Sequence, residues 1–169
     1  MSLVVDDHAL IDLLADMQSG WLRSEVEHSI GYAMAAWYFR LANAAPRGTG
    51  DGALSGRLAR LDPEIRQLTL RRIEQLPEWI GLVGPRLLVP VMAVLDTRRQ
   101  PNGLAAEALA GAVVTNNLIA VSIDAALIRD GAHDLGIEYC ELGRGRRCSP
   151  TDTFTSVGRL PSRRGRPRC

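Results

Sequence analysis

The sequence predicts a single α/β domain built on a small central parallel sheet. Three observations predict it. A short β-prone run, Leu3-Val4-Val5, ends at once in two acids, Asp6 and Asp7. Residues 118–142 read as a β-α-β unit, a connection that favours parallel strands. The 169 residues suit one domain with a sizeable core.

Each element follows from local pattern. After Leu3–Val5, Leu10, Leu13, Leu14 and Met17 share one helical face over residues 9–17. Asp7 is the expected cap of that helix, and Asp12 and Asp16, four apart on the opposite face, are expected as a solvated pair. Residues 26–45 carry Trp37-Tyr38-Phe39 and read as a helix from near Gly31 that packs its aromatic group on the sheet. Residues 46–52 (PRGTGDG) are turn-forming. Asp62-Pro63 starts a helix running to about Gln75, with Ile65, Leu68 and Ile73 inward. Ile80–Val83 is a second short strand, Gly84-Pro85 a turn, and residues 87–95 a helix in which Pro90 belongs to the first turn or makes a kink. A polar loop over residues 98–103 leads to an alanine-rich buried helix, residues 104–114, carrying Glu107. Asn116-Asn117 ends it; strand 118–122, helix 125–135, a Gly136 stop and strand 137–142 complete the domain.

Residues 143–169 differ in kind. They are rich in Arg, Gly, Pro and Ser and lack apolar periodicity, so they are expected as a disordered tail beyond a domain of residues 1–142. The break is also of the kind a shifted reading frame produces. The net charge of +1 hides an asymmetry: residues 1–142 sum to −6 and the tail to +7, with every basic side chain an arginine.

Composition narrows the function classes. No apolar run reaches the roughly 18 residues of a membrane helix, and the N-terminus lacks the basic segment of a signal peptide, so a cytoplasmic protein is expected. Cys140, Cys148 and Cys169 show no C-x-x-C spacing, which argues against a disulfide framework or a zinc site. His8, His28 and His133 are scattered singly, without metalloprotease spacing.

In an open parallel sheet, function lies beyond the carboxyl ends of the strands. Asp6 follows the first strand there, and Asp124 follows strand 118–122 by two residues. Glu107 stands in the helix leading into that second strand. If the two strands are neighbours, these carboxylates converge. Clustered carboxylates need protons or a hard divalent cation to offset their repulsion. Asp6 and Asp124 are equally readable as helix caps.

Order and chemistry together resemble the PIN domain family, whose members include ribonuclease toxins of the VapC type. The resemblance rests on Val4-Val5-Asp6-Asp7-His8-Ala9-Leu10, on Glu107-Ala108-Leu109-Ala110, on Leu118–Asp124 with its Ser122-Ile123-Asp124 ending, and on Gly136-Ile137-Glu138-Tyr139. Trp37–Leu41, Gly52–Ser55 and Leu104–Ala110 are more distantly similar to a little-characterised group of bacterial PIN-like proteins. The resemblance covers about residues 3–142 and implies a three-layer α/β/α fold. It implies Asp6, Glu107 and Asp124 as catalytic acids binding Mg²⁺ (or Mn²⁺), with Ser122 supporting the metal site. It implies RNA as substrate, a possible antitoxin partner and a possible homodimer. One departure stands out. The family usually has a further acid on the helix after Gly84-Pro85, where this chain reads Arg86-Leu87-Leu88-Val89-Pro90. A catalytically degenerate PIN-like protein that acts by binding or dimerising is the alternative this departure raises. Arg40, Arg57, Arg60, Arg71 and Arg72 are the candidate cations along an RNA-facing rim, and the Arg-rich tail a candidate nucleic-acid arm.

Overall fold

A computed structural model describes residues 3–18, 22, 24, 30–47, 52–99, 102–116, 118–122, 125–142 and 147–149. Five parallel strands form the centre: β1 (Leu3–Val5), β2 (Gly31–Met34), β3 (Ile80–Val83), β4 (Leu118–Val121) and β5 (Tyr139–Glu141). A sixth, β6 (Arg147–Ser149), pairs antiparallel with β5, giving the order β3-β2-β1-β4-β5-β6. The helices placed among the described residues include α1 (Asp7–Leu14), α2 (Ala35–Ala44), α3 (Ala53–Ala59), α4 (Pro63–Glu74), α5 (Pro85–Arg99), α6 (Gly103–Thr115) and α7 (Ala126–Leu135).

The three layers follow from the period of two along buried strands. Leu3 and Val5 of β1, with Leu118 and Ala120 of β4, face a core completed by α1, α3 and α4. Val4, Ile119 and Val121 face the opposite core, completed by α5, α6 and α7. Helix α2 contributes to both, Leu41 to the first core and Trp37 to the second. The expected three-layer α/β/α architecture around a small parallel sheet is the one observed. No helix among the described residues is long and apolar enough to cross a membrane.

Close packing explains two glycines. A Cβ on Gly111 of α6 would overlap Met34 Sδ, and one on Gly131 of α7 would meet Leu109 Cδ1 at 2.5 Å. Small residues let α6, buried from Ala105 to Ala112, lie between the sheet and its helical neighbours.

Several local expectations are corrected. Residues 31–34, expected as helix, are strand β2, because parallel pairing to both β1 and β3 claims their backbone groups. A short apolar run is ambiguous until its partners are known. Of the two acids readable as the cap of α1, Asp6 is the cap, and Asp7 is the first helical residue. Leu68, expected inward on α4, is 36% exposed, while Thr69 is fully buried beside Ile73. The Thr69 hydroxyl donates to Ile65 O at 2.7 Å, so its burial leaves no unpaired donor. Of the aromatic group, Trp37 is buried and Tyr38 hydrogen-bonds Ile73 O, but Phe39 points outward. Helix α5 begins at Pro85 and runs through Pro90, whose missing N–H falls on an exposed turn. Helix α3 had no counterpart in the sequence reading. Cys140 is disulfide-bonded, against expectation, and the residue opposite it in the β5–β6 register is Cys148. Strand β6 carries the sheet into the Arg-rich segment after residue 142.

Candidate functional site

The chain runs outward from β1 to β2 and β3, then returns to add β4 on the other side of β1. The β1–β4 boundary is therefore the topological switch point, where helices diverge and leave a crevice at the carboxyl ends of the strands. Asp6 directly follows β1 at this place and Ser122 directly follows β4.

The Asp6 carboxylate joins the two strands and starts a helix. Its Oδ1 accepts from Ala9 N–H at 2.6 Å, capping α1, and its Oδ2 accepts from Ser122 N–H at 2.9 Å. Its own N–H donates to Ala120 O at 3.2 Å. Asp6 is 8% exposed. Burial raises its carboxyl above the usual value, the two backbone hydrogen bonds pull the other way, and the neighbouring Asp7 charge adds to the rise.

Asp7, in the first turn of α1, is 3% exposed. Its Oδ2 lies 3.0 Å from Arg40 Nη1 of α2. That contact has ion-pair distance without hydrogen-bond alignment, so Oδ2 remains a buried acceptor with no hydrogen bond. Ser122 Oγ is a second buried oxygen without one. A cavity of about 370 Å³ opens between these elements, lined by Asp6, Asp7, His8, Trp37 and Arg40 on one side and by the starts of α6 and α7 on the other.

Glu107 does different local work. Helix α2 begins after Met34, which cannot cap it. Glu107 Oε1 accepts from Ala36 N–H at 3.0 Å and replaces the missing cap from the neighbouring helix. Parallel register sets Val5 beside Ala33, so Ala36 lies just past the end of β2, one strand from Asp6. Glu107 thus stands at the carboxyl edge of the sheet, but it is not among the residues lining the cavity that Asp6 and Asp7 share.

The structure therefore brings Asp6 and Ser122 into direct contact and sets Glu107 over the adjacent strand end. Asp124 lies outside the described residues. Among the described residues, no three His, Cys, Asp or Glu side chains stand close enough to hold a metal ion. The site of the further expected acid holds Arg86 and Leu87, both exposed. The donors present are carboxylate and hydroxyl oxygens; Asp7 Oδ2, in its ion pair with Arg40, and Ser122 Oγ are buried without a hydrogen bond.

Asp7 is the site residue that sequence reasoning missed: it reads only as a cap, a role that falls to the other readable cap, Asp6. The signal was the doublet itself: once one of two consecutive acids caps the helix, the other needs a separate partner. The arginines resolve similarly. Arg40 pairs with Asp7, Arg57 with Asp12 while also touching His8 Nδ1, and Arg72 with Asp16 and Leu14 O. Asp12 and Asp16 are thus not a solvated pair; with Asp7 they fasten the α1 segment to α3, α4 and α2. Arg60 and Arg71 are exposed.

No family model and no curated protein matches this sequence.

Proposed function

We propose that this chain is a PIN-like ribonuclease domain, hydrolysing RNA phosphodiesters with Mg²⁺ or Mn²⁺ at the crevice beyond β1 and β4. The supporting observation is the pair of consecutive carboxylates, Asp6 and Asp7, buried against a cavity at the switch point. Burying adjacent like charges opposes folding unless something offsets them, so their place beside a cavity suits a cationic ligand. Asp6, Asp7 and Ser122 would hold the cation, with Glu107 and Asp124 completing the acids of the site. When bound, the metal supplies Lewis-acid charge neutralisation at the phosphodiester. Asp6 keeps the crevice walls in register by tying α1 to the end of β4 through the Ser122 N–H. Arg40, half-exposed at the rim, offers a guanidinium to an adjacent phosphate. A cytoplasmic toxin restrained by an antitoxin protein, and acting as a homodimer, is the setting this reading proposes.

One observation favours a second reading, a catalytically degenerate protein that binds RNA or dimerises without cleaving. Both Asp6 oxygens and one Glu107 oxygen already accept backbone N–H groups, and Asp7 already has Arg40. Incubating the purified protein with structured RNA and Mg²⁺ or Mn²⁺, beside an Asp6→Asn/Asp124→Asn variant, separates the two. Metal-dependent cleavage lost in the variant is the expected result. Equal traces with and without metal would leave the binding reading.

A further inference from the structure

Arg40 borders two cavities, the acidic crevice and a larger one of about 800 Å³ between α2 and α3. The described residues lining the second cavity include two arginines, Arg40 and Arg47, and no carboxylate. Phe39 also lines it, with 67% of its surface in solvent. Phe39 sits one helical turn before Asn43, whose Nδ2 donates to Phe39 O at 2.8 Å. Small residues, Ala44, Gly52 and Ala53, are among those lining the cavity with Phe39. An exposed aromatic on a rigid helix contributes little to the fold, because neither core includes it.

From this juxtaposition we infer that the α2–α3 cavity is a binding groove for single-stranded RNA, with Phe39 stacking on a base and Arg47 and Arg40 holding the flanking phosphates. An open ring beside guanidinium groups is the combination that binds unpaired nucleotides without reading sequence. Duplex RNA keeps its bases stacked inside and offers Phe39 nothing. Charge sets direction along the strand. Phosphates are held where arginines line the wall, and Arg40 hands the backbone to the acidic crevice, where phosphates enter with a cation present. The inference rests on the ribonuclease reading for what happens in the crevice, but binding in the groove stands without it.

The test measures binding apart from cleavage. Fluorescence anisotropy with a labelled single-stranded RNA oligonucleotide in EDTA, at low salt, compares the full chain with Phe39→Leu, Phe39→Trp and Arg47→Ala. Phe39 and Arg47 are exposed, and unchanged circular dichroism checks that each variant folds. Phe39→Leu should weaken binding about ten-fold while Phe39→Trp retains it. Arg47→Ala should weaken binding and flatten its salt dependence by about 0.7 in log–log slope. A blunt-ended duplex of the same sequence should bind more weakly and ignore the Phe39 changes. Equal affinity of Phe39→Leu and the parent chain, or no RNA binding by the parent chain, overturns the inference; a groove that serves a protein segment instead would give the second result. Metal-dependent cleavage with parental affinity in Phe39→Leu removes the groove and leaves the ribonuclease. Phe39-dependent binding without cleavage does the reverse.

Discussion

Glu107 caps a helix from 71 residues away in sequence: its Oε1 accepts from Ala36 N–H at 3.0 Å. The first turn of α2 has no cap of its own, because Met34 occupies the capping position as the last residue of β2. A carboxylate also complements the positive end of the helix. A residue expected as a metal ligand therefore has a structural task as well.

The two tasks separate by substitution. Glu107→Ala should cost about 1–2 kcal/mol by leaving Ala36 N–H without an acceptor. Glu107→Gln keeps an acceptor oxygen and should melt near the parent chain, while removing the charge a cation needs. Urea denaturation of both variants, with metal-dependent cleavage measured alongside, checks the pair. Equal destabilisation by both would mean that α2 requires the charge.

Asp6 gives a pH dependence of definite sign. Burial, its largest influence, raises its folded carboxyl above its ordinary value of 3.8, so the native state holds that proton more tightly than the unfolded chain does. Stability contributed at Asp6 is then greatest in acid and falls as pH rises from 3.8 through the raised folded value, levelling beyond it. The stability difference between the parent chain and Asp6→Ala should shrink across that window. A difference that grows with pH would show that the Ala9 and Ser122 hydrogen bonds outweigh burial. At every pH, Asp6→Asn should destabilise, because an amide has one acceptor oxygen for two N–H donors.

Arg40→Met removes the countercharge from a buried Asp7. A fully buried pair loses about 3–5 kcal/mol when one partner is removed. Arg40 is half-exposed, so water replaces part of the interaction, and about 1–2 kcal/mol is expected. Adding Asp7→Asn to Arg40→Met should recover part of that loss. A double-mutant cycle by chemical denaturation reads the coupling, and strictly additive losses would mean that the 3.0 Å contact carries no energy.

Gly111→Ala should destabilise by about 1–3 kcal/mol, since the new methyl would need the space of the buried Met34 side chain. Pairing it with Met34→Ala should relieve the clash. Thermal unfolding of the single and double variants checks whether α6 is held this close to β2.

Much of the fold was legible because its signals are local. Pro63 and Glu74 bound α4 nearly where turn and cap chemistry put them, and Asn116 and Gly136 end their helices in the left-handed conformation. Residues 118–142 showed their β-α-β pattern without reference to the rest of the chain. Residues 31–34 did not show theirs, since Gly-Tyr-Ala-Met suits a strand only once β1 and β3 flank it. The candidate site divides the same way: the acid after β1 was visible, whereas the burial of Asp7 depends on Arg40, 33 positions away on another helix.

By itself the sequence determined the α/β class, the order of most elements and the presence of acids after β1 and within α6. Those follow from periodicity, caps and turn residues, which act over a few positions. Only the tertiary structure decided what the acids do in the folded chain. Asp6 ties α1 to β4, Asp7 takes Arg40, and Glu107 starts α2, because a buried carboxylate must take its donors from whatever backbone or cation the packing brings within about 3 Å.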